Sequence, residues 1–182
     1  MNYIETEIKG LWILEAQIFG DSRGYFMESY KKSDFEKQIG KVDFIQDNES
    51  KSSFGVLRGL HFQTGDTAQA KLVRVTSGCV LDVALDLRKD SPTFGQYEMV
   101  ELSEENKRQL FIPRGFAHGF LVLSETAVFN YKVDNLYSPT TEMTVNCMDK
   151  DLNIAWPLDF SQILLSEKDK KAYSFNEIKN YV

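Results

Sequence analysis

The middle of the chain consists of short apolar segments that follow one another too closely for helices to lie between them. The segments are KLVRVTSGCVLDVALDL, QYEMVEL, QLFIPRGFAHGFLVLSE and AVFNYKV, which together run from Lys71 to Val133. Stretches rich in turn-forming residues, KDSPTFGQ and LSEENK, separate three of them. Strands joined by short turns pair antiparallel, because a parallel pair needs a long crossover connection. The region therefore predicts an antiparallel β structure.

Residues in the first of these segments alternate with the period of a β-strand. One face would carry Leu81, Val83, Leu85 and Leu87, and the other would carry Val80, Asp82, Ala84 and Asp86. Ser77 and Gly78 mark a break between two strands. The alternation and the closely spaced turns predict an all-β fold, a jelly-roll sandwich or barrel of antiparallel strands.

Helical patterns are confined to the two ends of the chain, so the helices are predicted to be short and peripheral. Residues 33–39 begin with Ser33 and carry Glu36 three positions later, which is the pattern of a capping box. The segment LSEKDKKAYSF repeats this pattern with Ser166 and Asp169.

Length and charge limit the classes of function that need to be considered. The 182 residues suit one domain, predicted to span 1–182. Acidic side chains outnumber basic ones by 27 to 21, and the net charge of -6 argues against nucleic acid or an anionic membrane as partner. The start of the chain, MNYIETEIKG, lacks the basic and apolar regions of a signal peptide, which favours a cytoplasmic location.

The few cysteines and histidines restrict redox and metal chemistry. Cys79 and Cys147 lie far apart, and two cysteines are too few for a disulfide framework, so reduced thiols are predicted. His61 and His118 are the only histidines. Most catalytic zinc, iron and copper sites use two or three histidines, and this scarcity disfavours such a site.

Both histidines lie in short motifs. His61 follows Arg58 in an Arg-x-x-His pattern, in which strand alternation would place the two side chains on opposite faces unless Gly59 bends the chain. His118 ends the segment IPRGFAH, a Pro-x-Gly-x-x-His pattern that resembles the second motif of the cupin superfamily. Cupins often bind a metal through a His-x-His pair in their first motif, where this chain offers only His61. The resemblance implies a cupin-type barrel without a metal site.

Two further residues have two interpretations from the pattern alone, and a third has one. Lys71 at the start of its strand is either a solvated strand-end lysine or a functional cation. Tyr131 alternates in phase with Phe129 and should point into the barrel, where it either packs in the core or carries chemistry. Arg23 in DSRGYF is by position a loop arginine.

Taken together, the motifs resemble the dTDP-4-dehydrorhamnose 3,5-epimerase family, a group of cupin-type sugar-nucleotide epimerases of deoxysugar biosynthesis. The resemblance covers nearly the whole chain. It rests on the stretches FGDSRGYFMESY, FIQDNESKS, VLRGLHFQ, AKLVRV, DVALDLRKDSPTFGQ, LSEENKRQLFIPRGFAHGF, YKVDNLYSP and LSEKD. It implies epimerisation of dTDP-4-dehydro-6-deoxy-D-glucose at C3 and C5, the two carbons that flank the C4 ketone.

By this resemblance, four residues carry the chemistry, and no metal, nicotinamide or flavin cofactor is required. Removal of a proton next to a ketone needs a base, a group that stabilises the enolate, and an acid on the opposite face. The resemblance makes His61 the base, Lys71 the enolate stabiliser and Tyr131 the proton donor. Asp169 corresponds to the carboxylate that orients the catalytic histidine.

The resemblance also implies the substrate contacts and a homodimer. Arg23 and Arg58 would bind the pyrophosphate, and Tyr137 would stack on the thymine ring. The other implied contacts to nucleotide and sugar are Glu28, Gln46, Asp47, Asn48, His118, Glu142 and Lys168. N-terminal strands cross between subunits in the family, so Arg23 and Glu28 would complete the pocket of the partner subunit.

Three alternatives remain open from the sequence. One is a mono-epimerase that acts at C3 or C5 only, and another is a 3,4-ketoisomerase acting on a related dTDP-4-keto-6-deoxy sugar. The third is a catalytically silent cupin that only binds a sugar nucleotide, although the joint presence of His61, Lys71, Tyr131 and Asp169 weighs against it.

Overall fold

The computed structural model describes all 182 residues as a chain of short strands with little helix. The first six strands are β1 (Asn2–Glu5), β2 (Trp12–Glu15), β3 (Ile18–Asp21), β4 (Gly24–Met27), β5 (Gln46–Ser53) and β6 (Leu57–Gln63). The remaining strands are β7 (Lys71–Ser77), β8 (Cys79–Asp86), β9 (Tyr97–Ser103), β10 (Arg108–Ile112), β11 (Phe116–Val122), β12 (Thr126–Val133) and β13 (Glu142–Thr144). The α-helices are α1 (Lys32–Gln38) and α2 (Phe175–Ile178), and 3₁₀ turns occur at Gly65–Thr67, Phe160–Gln162 and Asp169–Lys171.

Two antiparallel sheets face each other as a jelly roll. The six-stranded sheet has the order β1-β2-β10-β7-β12-β5, and the five-stranded sheet has the order β13-β6-β11-β8-β9. Strands β3 and β4 form a separate hairpin. The predicted all-β class is confirmed, and every strand predicted between residues 71 and 133 is present.

Consecutive strands in this fold mostly lie in opposite sheets rather than side by side. Only Gly78 lies between β7 and β8, yet β7 pairs with β10 and β12, whereas β8 pairs with β9 and β11. Gly78 makes this crossing possible with φ +79, a conformation that side chains with a Cβ rarely adopt. Antiparallel pairing is therefore confirmed, but most partners are distant in sequence.

Alternation along the strands divides the core into two layers around the five-stranded sheet. Val80 and Ala84 of β8 point between the sheets into a cluster of 15 buried residues. Val83 and Leu85 point outwards into a cluster of 14 buried residues, which the C-terminal segment covers with Phe175 and Ile178. Both faces of the sheet are thus covered, which explains why all seven residues of β11 are buried.

The helices are short and peripheral as predicted, but one capping prediction was wrong. Helix α1 begins at Lys32, and neither Ser33 nor any other side chain caps its first turn. The helix is held instead by Phe35, which is buried against Leu14, Leu72 and Phe111. A capping box is present at the start of α2, between Ser174 and Glu177. None of the helices has the length and apolar character needed to cross a membrane.

Candidate active site

A cavity of about 240 Å³ opens between the two sheets and is lined by half of the site residues predicted from the sequence. Its walls are formed by Ser50, Arg58, His61, Gln69, Lys71, His118, Gly119, Phe120, Phe129, Tyr131, Tyr137 and Glu142. Seven of these are predicted site residues: Arg58, His61, Lys71, His118, Tyr131, Tyr137 and Glu142. The five-stranded sheet supplies His61 and His118, and the six-stranded sheet supplies Lys71 and Tyr131, so the two pairs lie on opposite walls.

A bulge in β6 brings Arg58 and His61 to the same cavity, as predicted from Gly59. His61 pairs with His118 across the sheet, while Arg58 pairs with Phe120, so three steps along β6 match two along β11. Gly59 takes up the extra residue with φ +119, and a Cβ there would lie 2.6 Å from the His118 carbonyl oxygen. A residue larger than glycine could not occupy this position without moving the backbone.

His61 is held by a carboxylate from the far end of the chain. Its Nε2 lies 2.6 Å from Oδ1 of Asp169, which is buried. The Ser166 hydroxyl donates to the other carboxylate oxygen at 2.7 Å. Burial alone would raise the pKa of Asp169, but the hydrogen bonds from His61 and Ser166 outweigh it, and the pKa lies below its usual value. Asp169 therefore stays ionised, and it leaves Nδ1 of His61 free to act as a base.

Lys71 is not the solvated lysine that its position at a strand end would suggest. It is half-buried in the cavity wall and takes part in no ion pair. Burial lowers the pKa of the Lys71 ammonium to about 8, although the negative charges of Asp82 and Glu142 act in the opposite direction. A cation in such a water-poor site can stabilise a developing oxyanion strongly.

Tyr131 points between the sheets, as its alternation with Phe129 predicted. It packs against the inner core cluster while lining the cavity. Phe129 stacks on Phe120 with a centroid distance of 4.1 Å, which gives the cavity an aromatic wall beside the tyrosine. Burial raises the pKa of Tyr131, and the nearby Arg58 opposes this only in part. The phenol is therefore protonated at neutral pH and can donate a proton.

A polar cluster closes one side of the cavity mouth. Glu142 forms an ion pair with Lys168, and the Tyr137 hydroxyl donates to Glu142 Oε2 at 2.7 Å. Tyr137 is 59 % exposed, so one face of its ring remains open. The cluster places a flat aromatic ring next to charged groups at the mouth.

Five predicted contacts lie outside the cavity of this chain. Arg23 and Glu28 are exposed on and beside the β3–β4 hairpin, where Arg23 forms an ion pair with Asp21. On β5, Asn48 pairs with Tyr131 and accepts a hydrogen bond from Gln46 at 2.7 Å. The Asp47 carboxylate points to the opposite face and binds Lys132 at 2.7 Å. The roles of these residues stay predictions.

Asp82 is completely buried behind the cavity and bonded to His118, and it is not among the site residues predicted from the sequence. A signal for it was present, since Asp82 alternates in phase with the apolar residues Val80 and Ala84. A carboxylate at an apolar position of a strand needs a buried partner. No group of three or more His, Cys, Asp or Glu side chains is arranged to hold a metal ion.

Comparison with known proteins identifies the family of this chain. The sequence profile described as dTDP-4-dehydrorhamnose 3,5-epimerase matches residues 5–177. The chain belongs to the dTDP-4-dehydrorhamnose 3,5-epimerase family. The resemblance noted in the sequence is thereby confirmed, and so is the assignment to the isomerases.

Individual members of the family are similar over nearly their whole length. The dTDP-4-dehydrorhamnose 3,5-epimerase of Salmonella typhimurium is 57% identical over 174 residues, which cover 94% of each chain. A dTDP-6-deoxy-D-glucose-3,5-epimerase from Legionella pneumophila, solved with dTDP-4-keto-L-rhamnose, is 50% identical with a TM-score of 0.93, covering 97% of this chain and 94% of that one. A 3'-monoepimerase from Streptomyces bikiniensis, solved with dTDP-quinovose, is 34% identical with a TM-score of 0.91. The match covers 97% of this chain and 89% of that one. The epimerase fold thus accommodates both double and single epimerisation.

Proposed function

We propose that this chain epimerises dTDP-4-dehydro-6-deoxy-D-glucose at C3 and C5 to give dTDP-4-dehydro-L-rhamnose. One observation carries the proposal: the His61–Asp169 pair lies on one wall of the cavity, and Tyr131 and Lys71 lie on the opposite wall. Inversion of a carbon needs proton removal on one face and proton delivery on the other. The two walls supply these groups on opposite sides of one small space.

The reaction begins with His61. Nδ1 removes the proton from a carbon next to the C4 ketone. The electron pair of that C–H bond becomes a double bond to C4, and the ketone oxygen takes the negative charge of the enolate. The Asp169 carboxylate stabilises the imidazolium that results. The Lys71 ammonium faces the negative charge that develops on the C4 oxygen. A base, its partner and a cation together lower the barrier of a step that is unfavourable in water.

Tyr131 completes the inversion. Its hydroxyl delivers a proton to the enolate carbon from the opposite wall, the carbonyl re-forms, and the carbon has changed configuration. His61 then returns its proton to solvent, and Tyr131 regains one, so no net oxidation or reduction occurs. The same cycle at the second flanking carbon gives the doubly epimerised product.

Recognition of the rest of the substrate follows from the charges around the cavity. The Arg58 guanidinium donates to Ser52 Oγ at 3.0 Å and suits phosphate oxygens with its remaining N–H groups. The exposed ring of Tyr137 offers a face for the base, and Lys168 adds a cation at the mouth. Arg58 and Lys168 thus place cations where a dianionic pyrophosphate can bind, despite the overall charge of -6.

Incubation with dTDP-4-keto-6-deoxyglucose in D2O tests the proposal directly. We expect deuterium at both C3 and C5 in the product NMR spectrum, together with the L-rhamno configuration. Deuterium at one carbon with one inverted centre would identify a mono-epimerase, and a ketone moved to C3 would identify a ketoisomerase. Unchanged sugar that binds without exchange would show a catalytically silent cupin.

We further infer a homodimer in which each subunit supplies residues to the other's cavity. The β3–β4 hairpin projects from the chain, and its Phe26 is 65 % exposed. Strand β5, at one end of the six-stranded sheet, has an unpaired edge next to the cavity wall. A partner hairpin beside this edge would cover the apolar side chains and bring in Arg23 and Glu28. The homodimer and the cytoplasmic location both stay predictions.

Mixing two inactive variants tests the shared site. The Arg23→Ala subunit lacks the arginine that it would contribute to the cavity of its partner. The His61→Asn subunit lacks the base of its own cavity. If sites are shared, refolding an equal mixture should restore about a quarter of wild-type activity, because half of the dimers then contain one intact site. Each variant mixed with itself is the control. No recovery, or a fully active monomer in sedimentation at assay concentration, would contradict the shared site.

A further inference from the structure

Asp82 is a buried carboxylate in the barrel interior that the proposed reaction does not yet use. It lies on the inward face of β8, where its neighbours Val80 and Ala84 belong to the inner apolar cluster. Its exposure is 0%. A charge in such surroundings is strongly unfavourable unless a close partner compensates it.

His118 is that partner. Nε2 of His118 lies 3.0 Å from Oδ1 and 2.9 Å from Oδ2 of Asp82. The carboxylate therefore receives the Nε2–H of His118 between its two oxygens, because a carboxylate can only accept. No other side chain bonds to Asp82, so this one contact fixes both groups.

The geometry of this pair determines what His118 offers to the cavity. Nδ1 of His118 makes no hydrogen bond within the protein. Every buried side-chain nitrogen has a hydrogen-bond partner, so Nδ1 is not buried and must be open to the cavity that His118 lines. Burial lowers the pKa of His118, whereas the negative charge of Asp82 raises it. The effect of burial is the larger one and favours the neutral ring. Neutral His118 with a proton on Nε2 presents a bare Nδ1, an acceptor for a sugar hydroxyl.

We propose that Asp82 is a positioning residue, which accepts the Nε2–H of His118 and so fixes the bare Nδ1 of that ring towards the sugar. The role rests on the proposed function, in which the sugar lies in the cavity that His118 lines. It does not require Asp82 to touch the sugar.

The first test needs no catalysis, so it remains decisive if the proposed reaction is wrong. The chain has two histidines, and protein labelled with 15N-histidine therefore gives only two sets of ring signals. Between pH 7 and 8 we expect His118 to show a protonated Nε2 and an Nδ1 shift typical of a bare nitrogen, and His61→Asn protein identifies which set is which. A proton on Nδ1, or a doubly protonated ring, would overturn the proposal.

The second test replaces the carboxylate and measures the ring signals of His118. A carboxylate can only accept from Nε2–H, whereas the amide in Asp82→Asn can accept from or donate to Nε2. We therefore expect both tautomers of His118 to be populated in Asp82→Asn, so that its two ring nitrogen shifts move towards each other. The spectra are compared at pH values where thermal unfolding shows each protein to be folded.

Asp86→Asn is the matched control. Asp86 lies on the same face of β8 and is equally buried, but it bonds to Arg88, Ser91 and Thr93 away from the cavity. It should lower stability and leave the His118 ring signals where they are. Unchanged ring signals in Asp82→Asn, or an equal change in Asp86→Asn, would overturn the positioning role. If Asp82→Asn does not fold, the spectrum of the wild-type protein decides.

Discussion

Replacing His61 with asparagine should lower kcat by roughly 10³-fold or more, with little change in the affinity for dTDP. Both histidines of the five-stranded wall are oriented by a carboxylate, His61 by Asp169 and His118 by Asp82. Burial lowers the pKa of His118 and makes that ring a poor base, which leaves His61 as the base that faces the cavity. Asparagine can keep a hydrogen bond to Asp169 but cannot take up a proton at neutral pH. The fold should survive, because His61 is only partly buried.

The decisive measurement is hydrogen exchange rather than product formation alone. In D2O, the His61→Asn protein should incorporate no deuterium at C3 or C5 during many wild-type turnovers. Calorimetric binding of dTDP shows that the cavity is intact in the same sample. Exchange at a rate close to that of the wild type, at either carbon, would mean that another group is the base.

The strands and the inward-facing residues could be predicted from the sequence because a period of two is a local property. Alternation placed Tyr131 between the sheets and put Asp82 on the same face of β8 as Val80 and Ala84, and Gly59 indicated the bend that unites Arg58 with His61. Strand β5 gave no such signal, because QDNESKSS is polar on both faces at the edge of a sheet. Its position became clear only from its pairing with β12.

Long-range contacts could not be predicted from local patterns. Asp169 is 108 residues from His61 and reaches it because the C-terminal segment packs on the outer face of the five-stranded sheet. The resemblance to a family supplied this pair, whereas spacing alone did not. The same limit applies to Lys71, whose burial depends on strands that follow it in the sequence and lie across the cavity. Such sites depend on topology, which a single sequence encodes only indirectly.

Replacing Tyr131 with phenylalanine should separate proton removal from proton delivery. The ring still packs on the inner core cluster, so the fold should change little, but the cavity loses its acid on the six-stranded wall. His61 can still remove a proton, exchange it with solvent and return it to the same face. We therefore expect deuterium to enter at one carbon or more with retention of configuration, while epimerised product falls by roughly 10²-fold to 10³-fold.

Tyr181→Phe provides the matched control, because Tyr181 is 56 % exposed near the C-terminus and takes no part in lining the cavity. It should epimerise at the wild-type rate. The comparison is informative because retention and inversion give sugars with different ring coupling constants, so one NMR spectrum reports exchange and configuration together. Tyr131 is assigned as the acid because burial raises the pKa of its phenol and because it faces His61 across the cavity. Inverted product at the wild-type rate from Tyr131→Phe would contradict this assignment and would mean that water or another side chain delivers the proton.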